Sequence, residues 1–193
     1  IKRRIKVPIT IVPTGVNVGA FAYGRGKLFC QQNRIPAGAL VIGHVSRLAP
    51  EKNLDFMVPA LIELLKKDKR VHALIVGRGP SVPMIRSKFK QAGLQKRLHL
   101  TGYLDGQDLI DAYHAMDVFA FASLSETQGI VLVEALAAGV PVVAVNAPGV
   151  REVVKDYVNG RLIPRIDQKK FITALEWVLK QPETKSKMIK QQA

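Results

Sequence analysis

Residues 123–149 read SLSETQGIVLVEALAAGVPVVAVNAPG. The order is loop, helix, strand, loop. From Ile130 to Ala138 the helix is apolar on all sides, the mark of a buried helix, and Glu134 interrupts it. An unpaired buried carboxylate is very costly, so Glu134 must find a partner or face a polar cleft. Glu126 stands just before the helix, and Gly129 lets another group approach its first backbone N–H groups, a natural anion seat. Ala137-Ala138-Gly139 is a small-residue exit, with glycine suited to the C-cap. Pro141 leads the apolar strand Val142–Val145, and Asn146–Gly149 turns at that strand's C-terminal end, where ligands of open α/β sheets bind. One segment thus offers a phosphate seat and two acceptors for hydroxyl groups. The plain alternative makes Glu126 a charge matched to the helix dipole and puts Glu134 on a narrow solvent-facing stripe.

Outward from this stretch, strand and helix patterns alternate. Residues 5–12 (IKVPITIV) read as a strand, with Pro8 placing it at an edge or strand start, and Pro13-Thr14-Gly15 as a turn. Residues 16–37 are weakly patterned, with a short helix expected around Lys27–Asn33. Strands are expected at Val41–Val45, Val71–Val76, Leu98–Thr101, Val118–Phe121 and Leu162-Ile163. Helices are expected from Asn53, as side-chain cap, to Lys67, from Ser81 or Pro83 to Ala92, over Asp105–Ala115 and Val150–Lys155, and from Asp167 to Lys180. Short strands apolar on both faces, alternating with helices, predict an α/β fold: a Rossmann-like parallel sheet with helices on both faces.

The chain has 193 residues, 48% of them hydrophobic, enough for one domain with a sizeable core. The single cysteine, Cys30, excludes an intramolecular disulfide and fits a reducing compartment. No apolar run is long enough to span a bilayer. The first residue is Ile, so a longer parent chain is expected. Net charge is +14 with a pI of about 10.1, which points to polyanionic or phosphate-bearing partners. The basic clusters lack the interleaved aromatics of a single-strand binder, so nucleic acid is not the expected partner.

Right-handed crossovers would bring the loops after the strands to one sheet edge. Arg47 and Lys52, Gly77–Pro80, Gly102-Tyr103 and Glu126–Gly129 would then converge, and two cations with a helix N-terminus suit a diphosphate without a metal. No His, Cys or carboxylate cluster has metal-ligand spacing. His44, His72 and His99 lie within apolar strands and read as core or edge residues. The Gly77–Pro80 turn is not the dinucleotide fingerprint, and there is no Walker lysine motif.

These residues together resemble a family. Gly43-His44-Val45-Ser46-Arg47-Leu48 with Glu51-Lys52-Asn53 is similar to the G-x-x-x-R-L-x-x-E-K-N block of the GT-B glycosyltransferases of family four. Ile75–Pro80, Thr101-Gly102-Tyr103-Leu104, the Glu126/Glu134 pair (Glu-x7-Glu) and Gly139–Val143 match further motifs in the same order, and Pro13–Asn17 resembles the start of that family's C-terminal domain. The resemblance covers roughly residues 10–165. It implies the C-terminal half of a GT-B fold: residues 1–12 ending an inter-domain linker, 13–165 binding a nucleotide-sugar such as a UDP- or GDP-sugar, and 166–193 forming C-terminal helices that can return to an N-terminal domain. It further implies that Arg47 and Lys52 hold the departing diphosphate, assisted by N–H groups near Gly129 and Ile130. Glu126 would accept from the donor sugar and Glu134 from the ribose. Gly77, Gly79, Gly102 and Tyr103 would border the base, and Thr127 and Gln128 would complete the donor site. Transfer would retain anomeric configuration, with no bound metal.

Many relatives carry an aromatic where Gln128 stands. Glu-Thr-Gln-Gly is similar to the version in enzymes that glycosylate diacylglycerol-type lipids. With the basic surface, this implies a cytoplasmic protein peripheral on the inner face of the membrane, drawn to anionic lipid by about 1 kcal/mol per Lys or Arg. Two other functions stay open: a basic nucleotide- or polyanion-binding module without transferase chemistry, and a nucleotide-sugar epimerase or phosphorylase on a related fold.

Overall fold

The short, doubly apolar strands assemble as one parallel sheet. The computed structural model describes residues 15–181. In chain order they form α1 (Val18–Phe21), α2 (Gly26–Gln32), β1 (Leu40–Val45), α3 (Leu54–Lys67), β2 (Val71–Val76), α4 (Val82–Gln91), β3 (Leu98–Gly102), α5 (Gly106–His114), β4 (Val118–Phe121), α6 (Ile130–Ala137), β5 (Val142–Val145), α7 (Pro148–Val153), β6 (Gly160–Ile163) and α8 (Gln168–Leu179). Short 3-10 turns occupy Pro50–Lys52 and Gln95–Arg97. The strand expected at residues 5–12 lies outside the described residues.

The strand order is β3-β2-β1-β4-β5-β6. The chain therefore builds outward from β1 to β3, then crosses back to lay β4 on the other side of β1. That reversal is the switch point of a Rossmann-like sheet, where adjacent crossovers leave in opposite directions and open a crevice. Here the opening is pronounced. β1 pairs with β2 over six registered positions but with β4 over two, Ile42 with Val118 and Gly43 with Phe119. Beyond them side chains replace the ladder. His44 Nδ1 lies 2.9 Å from the Ala120 carbonyl, Asn53 Nδ2 donates to the Ala122 carbonyl at 3.2 Å, and Ser123 Oγ donates to the Glu51 carbonyl at 3.2 Å.

Each sheet face carries its own core. On one, α3, α4 and α8 bury Leu61, Phe89 and Phe171; on the other, α2, α5, α6 and α7 bury Phe29, Tyr113, Leu132 and Val150. The weakly patterned region before β1 is held from a distance. Asp111 in α5, 5% exposed, accepts from the Arg25 backbone N–H at 2.8 Å and from Arg25 Nε at 3.1 Å. The Phe21 ring in α1 meets Tyr113 edge-on at 5.7 Å.

Two local expectations are corrected. Asn53 does not cap α3 with its side chain. It sits in the left-handed region (φ 55°, ψ 39°), and its amide is spent on Ala122 across the crevice. The helix expected at Val150–Lys155 instead spans Pro148–Val153, because Pro148 is preset for a first helical position.

After residue 165 the chain forms α8, capped by Asp167 Oδ1, which accepts from the Lys170 N–H at 3.0 Å. Phe171 is fully buried and meets Phe56 of α3 edge-on at 5.4 Å. Trp177 near the helix end packs on Tyr157 at 5.6 Å, and the Arg161 guanidinium lies 3.8 Å from the Tyr157 ring centroid and 5.3 Å from that of Trp177. Truncating a core aromatic removes its transfer energy and leaves a cavity, costing about 3–5 kcal/mol. Phe171→Ala is therefore expected to lower unfolding stability by about that amount in urea titrations. A loss below about 1 kcal/mol would mean that α8 does not dock on this sheet.

Candidate active site

Two loops flank the crevice between β1 and β4. The first, Ser46–Lys52, leaves β1; the second, Ala122–Gly129, leaves β4 and runs into α6. The first brings Arg47 and Lys52 to the opening, and the second brings Glu126. Lys52 Nζ and Glu126 Oε2 lie 3.2 Å apart, with both side chains largely buried (21% and 15% exposed). Arg47 is exposed and pairs with Glu51 one turn on.

Glu126 also closes the start of α6. Its Oε1 accepts from the Gly129 backbone N–H at 3.2 Å. Gly129 adopts φ 66°, a conformation that side chains resist, and a Cβ there would lie 3.0 Å from the Gly149 carbonyl oxygen. The helix's own bonds begin with the Leu132 and Val133 N–H groups, both donating to the Gly129 carbonyl. The N–H groups of Ile130 and Val131 precede them, as first-turn donors do. Burial pushes the Glu126 carboxyl up, but the Gly129 N–H and the Lys52 ammonium outweigh it and hold the group below its ordinary range.

The crevice has two connected chambers. The polar one, about 500 Å³, is lined by Lys52, Glu126, Thr127, Gln128 and Ile130 together with Ser46, Arg47 and Val131. The other, about 640 Å³, shares those last three residues and is mostly apolar. Val45, Val76, Gly77, Arg78, Tyr103, Leu104 and Leu109 form its walls, and Glu134 stands among them. Gly79 and Gly102, expected beside them, are not among its lining residues. Gly102 accepts the Gly77 N–H at 2.7 Å, and a Cβ on Gly79 would meet the Leu48 carbonyl oxygen at 2.3 Å. Gly77 itself has φ 132°, and a Cβ there would lie 1.9 Å from the Ser46 carbonyl oxygen. These glycines let the turn after β2 lie flat on the Arg47 loop.

The all-apolar α6 is not covered on every side. Leu132, Ala135 and Leu136 are buried, whereas Ile130, Val131 and Glu134 line the crevice. Glu134 both faces the cleft and has a partner: Tyr113 Oη donates to its Oε2 at 2.8 Å. Burial raises the Glu134 carboxyl above its ordinary value, against the lowering effect of that hydrogen bond. Tyr113 is pushed well up in turn by its burial and by the Glu134 charge.

Sequence reasoning did not find Tyr113, Ser46 or His44 as site residues. Tyr113 sits 21 positions from Glu134 in a helix whose apolar pattern it simply continues. Ser46 was visible beside Arg47, but nothing local marked its contact with His44 Nε2, at 2.7 Å. His44 is buried, as its strand position implies, and burial with the nearby Lys52 charge lowers it to about 4. His72 and His99 face each other across β2 and β3 at 2.9 Å, and His114 contacts the Phe21 carbonyl; none of the three lines either chamber. Among the described residues, no three His, Cys, Asp or Glu side chains gather where a metal ion could be held.

Removing the Tyr113 hydroxyl leaves a half-buried carboxylate without its donor, at a cost of about 1–3 kcal/mol. Because the folded Glu134 is shifted upward, stability is complete below the unfolded carboxyl value near 4.5 and declines as pH rises through the folded value. Tyr113→Phe should steepen that decline. Chemical unfolding is expected to register a larger loss at pH 7 than at pH 4; equal losses would mean that the hydroxyl does not support the charge.

Comparison with known proteins agrees with this geometry. The chain is 29% identical over 167 residues to the alpha-monoglucosyldiacylglycerol synthase of Streptococcus pneumoniae, covering 82% of this chain and 37% of that protein. It spans less than half the length of the curated relatives it matches. Anabaena HepE, solved with UDP and glucose, superposes with a TM-score of 0.80 at 27% identity, over 91% of this chain and 48% of HepE. The C-terminal domain of LpcC, a group 1 glycosyl transferase from Francisella tularensis, superposes with a TM-score of 0.78 at 27% identity, over 91% of this chain and 93% of that domain. The family profile itself matches residues 28–193, and with the sheet in place and Glu126 and Glu134 lining the crevice, the chain belongs to the glycosyl transferases group 1 family, of GT-B fold.

Proposed function

We propose that this chain is the donor-binding half of a retaining glycosyltransferase that takes a nucleotide-sugar. The two-chambered crevice, one part polar and cationic and the other apolar, carries the proposal. The base would enter the apolar chamber beside Tyr103, Leu104 and Gly77, with Glu134 accepting from the ribose hydroxyls. The diphosphate would lie at the junction, against Arg47, Lys52 and the first N–H groups of α6. The sugar would occupy the polar chamber, where Glu126 accepts from its hydroxyls.

Chemically, the departing diphosphate gathers negative charge as the glycosidic carbon loosens. Preorganised cations and backbone dipoles stabilise that charge most where it develops. Arg47 and Lys52 are held ready by Glu51 and Glu126, so donor binding at these two cations exchanges ion pairs. These two cations and the helix N-terminus form the leaving-group clamp, for which metal independence is the expectation. The bound UDP and glucose of HepE support the donor class. The acceptor site belongs to a further, N-terminal domain, so this chain alone is expected to bind donor without transferring sugar.

Titration calorimetry of the chain with UDP-, GDP- and ADP-sugars in EDTA tests the donor site. One nucleotide is expected to bind, with Lys52→Ala and Glu134→Ala each weakening it about 10- to 100-fold, the value of a charged hydrogen bond. Loss of binding in EDTA, restored by a divalent ion, would overturn the metal-free clamp. Unchanged affinity in the Glu134 variant would overturn its ribose role.

For the acceptor we favour a membrane lipid reached at the inner face of the cytoplasmic membrane. The net charge of +14, Gln128 in the Glu-Thr-Gln-Gly segment and the similarity to a lipid-glycosylating synthase support this. No helix among the described residues is long and apolar enough to cross a membrane; the attachment we propose is electrostatic, through the basic residues of this chain. The chain is expected to sediment with phosphatidylglycerol vesicles and not with phosphatidylcholine vesicles. Equal sedimentation with both would remove the electrostatic basis for that acceptor.

A further inference from the structure

His44 stands where the β1–β4 ladder ends, beside the rings of Phe119 and Phe121. Its Nδ1 faces the Ala120 carbonyl at 2.9 Å. A carbonyl oxygen only accepts, so Nδ1 carries the hydrogen. In the neutral ring Nε2 then offers a lone pair. Ser46 Oγ lies 2.7 Å from that lone pair and 3.0 Å from the Arg47 carbonyl; its one hydrogen serves only one of these acceptors, and beside a neutral imidazole it goes to Nε2, at the shorter distance. With that hydrogen so placed, Ser46, which borders both chambers, has only oxygen lone pairs to offer a ligand there.

A serine and a histidine this close suggest an activated nucleophile, but the surroundings forbid it. His44 is 1% exposed, its basicity is depressed to about 4, and Nδ1 rests on a carbonyl instead of a carboxylate. An imidazole so placed does not take the proton of an alcohol. What the pair does fix is the direction of a hydroxyl.

That direction is wrong for an anion. Under the nucleotide-sugar assignment above, on which this inference rests, a phosphate oxygen occupies the junction and would meet the Ser46 oxygen lone pairs. One proton resolves the conflict. We propose that His44 is a positioning residue that couples diphosphate binding to proton uptake: on binding, His44 Nε2 gains a hydrogen from solvent and hydrogen-bonds through it to Ser46 Oγ, and Ser46 turns its own hydrogen to a phosphate oxygen, a charged and therefore stronger acceptor than the neutral Arg47 carbonyl 3.0 Å away. No covalent bond between heavy atoms changes, and the imidazole becomes imidazolium. The groups around His44 agree with this exchange. From β4 it meets Phe119, Phe121 and the Ala120 carbonyl, none of which titrates. From the 3-10 turn the Lys52 charge opposes protonation, and Lys52 is itself paired with Glu126 from the loop after β4. Arg47 follows Ser46 directly. A bound diphosphate supplies the negative charge that offsets both cations.

The test is calorimetry with UDP-glucose and GDP-mannose, whose diphosphate diesters do not titrate between pH 5.5 and 7.5. Titrations at pH 6 in MES and in imidazole, buffers of different ionisation heat, count the protons taken up. About half a proton or more per binding event is expected, with affinity about tenfold tighter at pH 5.5 than at 7.5, as half a proton over two pH units produces by linkage. His44→Gln keeps a donor for Ala120 but cannot titrate, and it should abolish both effects, as should Ser46→Ala. Proton uptake that survives in His44→Gln and disappears in Glu134→Gln would assign it to Glu134 and overturn the proposal. Binding with no buffer-dependent heat and no pH dependence would overturn it alone, leaving the donor site intact. Absence of binding by either ligand at millimolar concentration would sink it together with the donor site.

Discussion

Everything functional in this domain follows from how little β1 and β4 pair. A parallel ladder satisfies its own backbone, and a sheet interior rarely leaves strand carbonyls without partners. Here registered pairing stops at Gly43 and Phe119, and the carbonyls beyond are taken over by the side chains of His44 and Asn53. Ser123 returns the contact to Glu51. These three bonds allow two central strands to part without stranding their polar groups. The gap they open is the crevice, and the loops they tether carry Arg47, Lys52 and Glu126.

The parted strands create a second problem, a site rich in charge with nothing bound. The chain answers it internally. Lys52 holds Glu126, Arg47 holds Glu51, the Gly129 N–H reaches Glu126, and Tyr113 holds Glu134. The Lys52–Glu126 and Tyr113–Glu134 contacts lie at partial burial, where such pairs are neither negligible nor prohibitively costly to exchange, whereas Arg47–Glu51 is exposed and worth little. A ligand therefore replaces contacts instead of filling vacancies, and its affinity is the difference between two well-formed networks.

Much of the scaffold was legible in the sequence because its signals are local. Val71–Val76 and Val118–Phe121 emerge with the expected bounds, being apolar runs between clear breaks. Glu134 declared itself by standing alone in an apolar helix. Its partner did not, because Tyr113 looks like any other core aromatic until α5 is laid against α6. The same limit hid the tie between Arg25 and Asp111, 86 positions apart, and the bond from Asn53 to Ala122, 69 apart. Asn53 misled for a physical reason: asparagine serves equally as a helix cap and as a left-handed hinge. The choice between them was made across the crevice.

Trp177 is the single tryptophan of the chain. It is fixed against Tyr157 and Arg161 at the N-terminal end of β6, away from the edge where the crevice opens. Its half-buried indole lies against an aromatic edge and a guanidinium that it meets only while α8 is seated, so its surroundings change when the helix leaves the sheet. Ligands entering the crevice act on the other end of the sheet. The protein thus carries a built-in optical probe of its own folding that is largely blind to occupancy of the site.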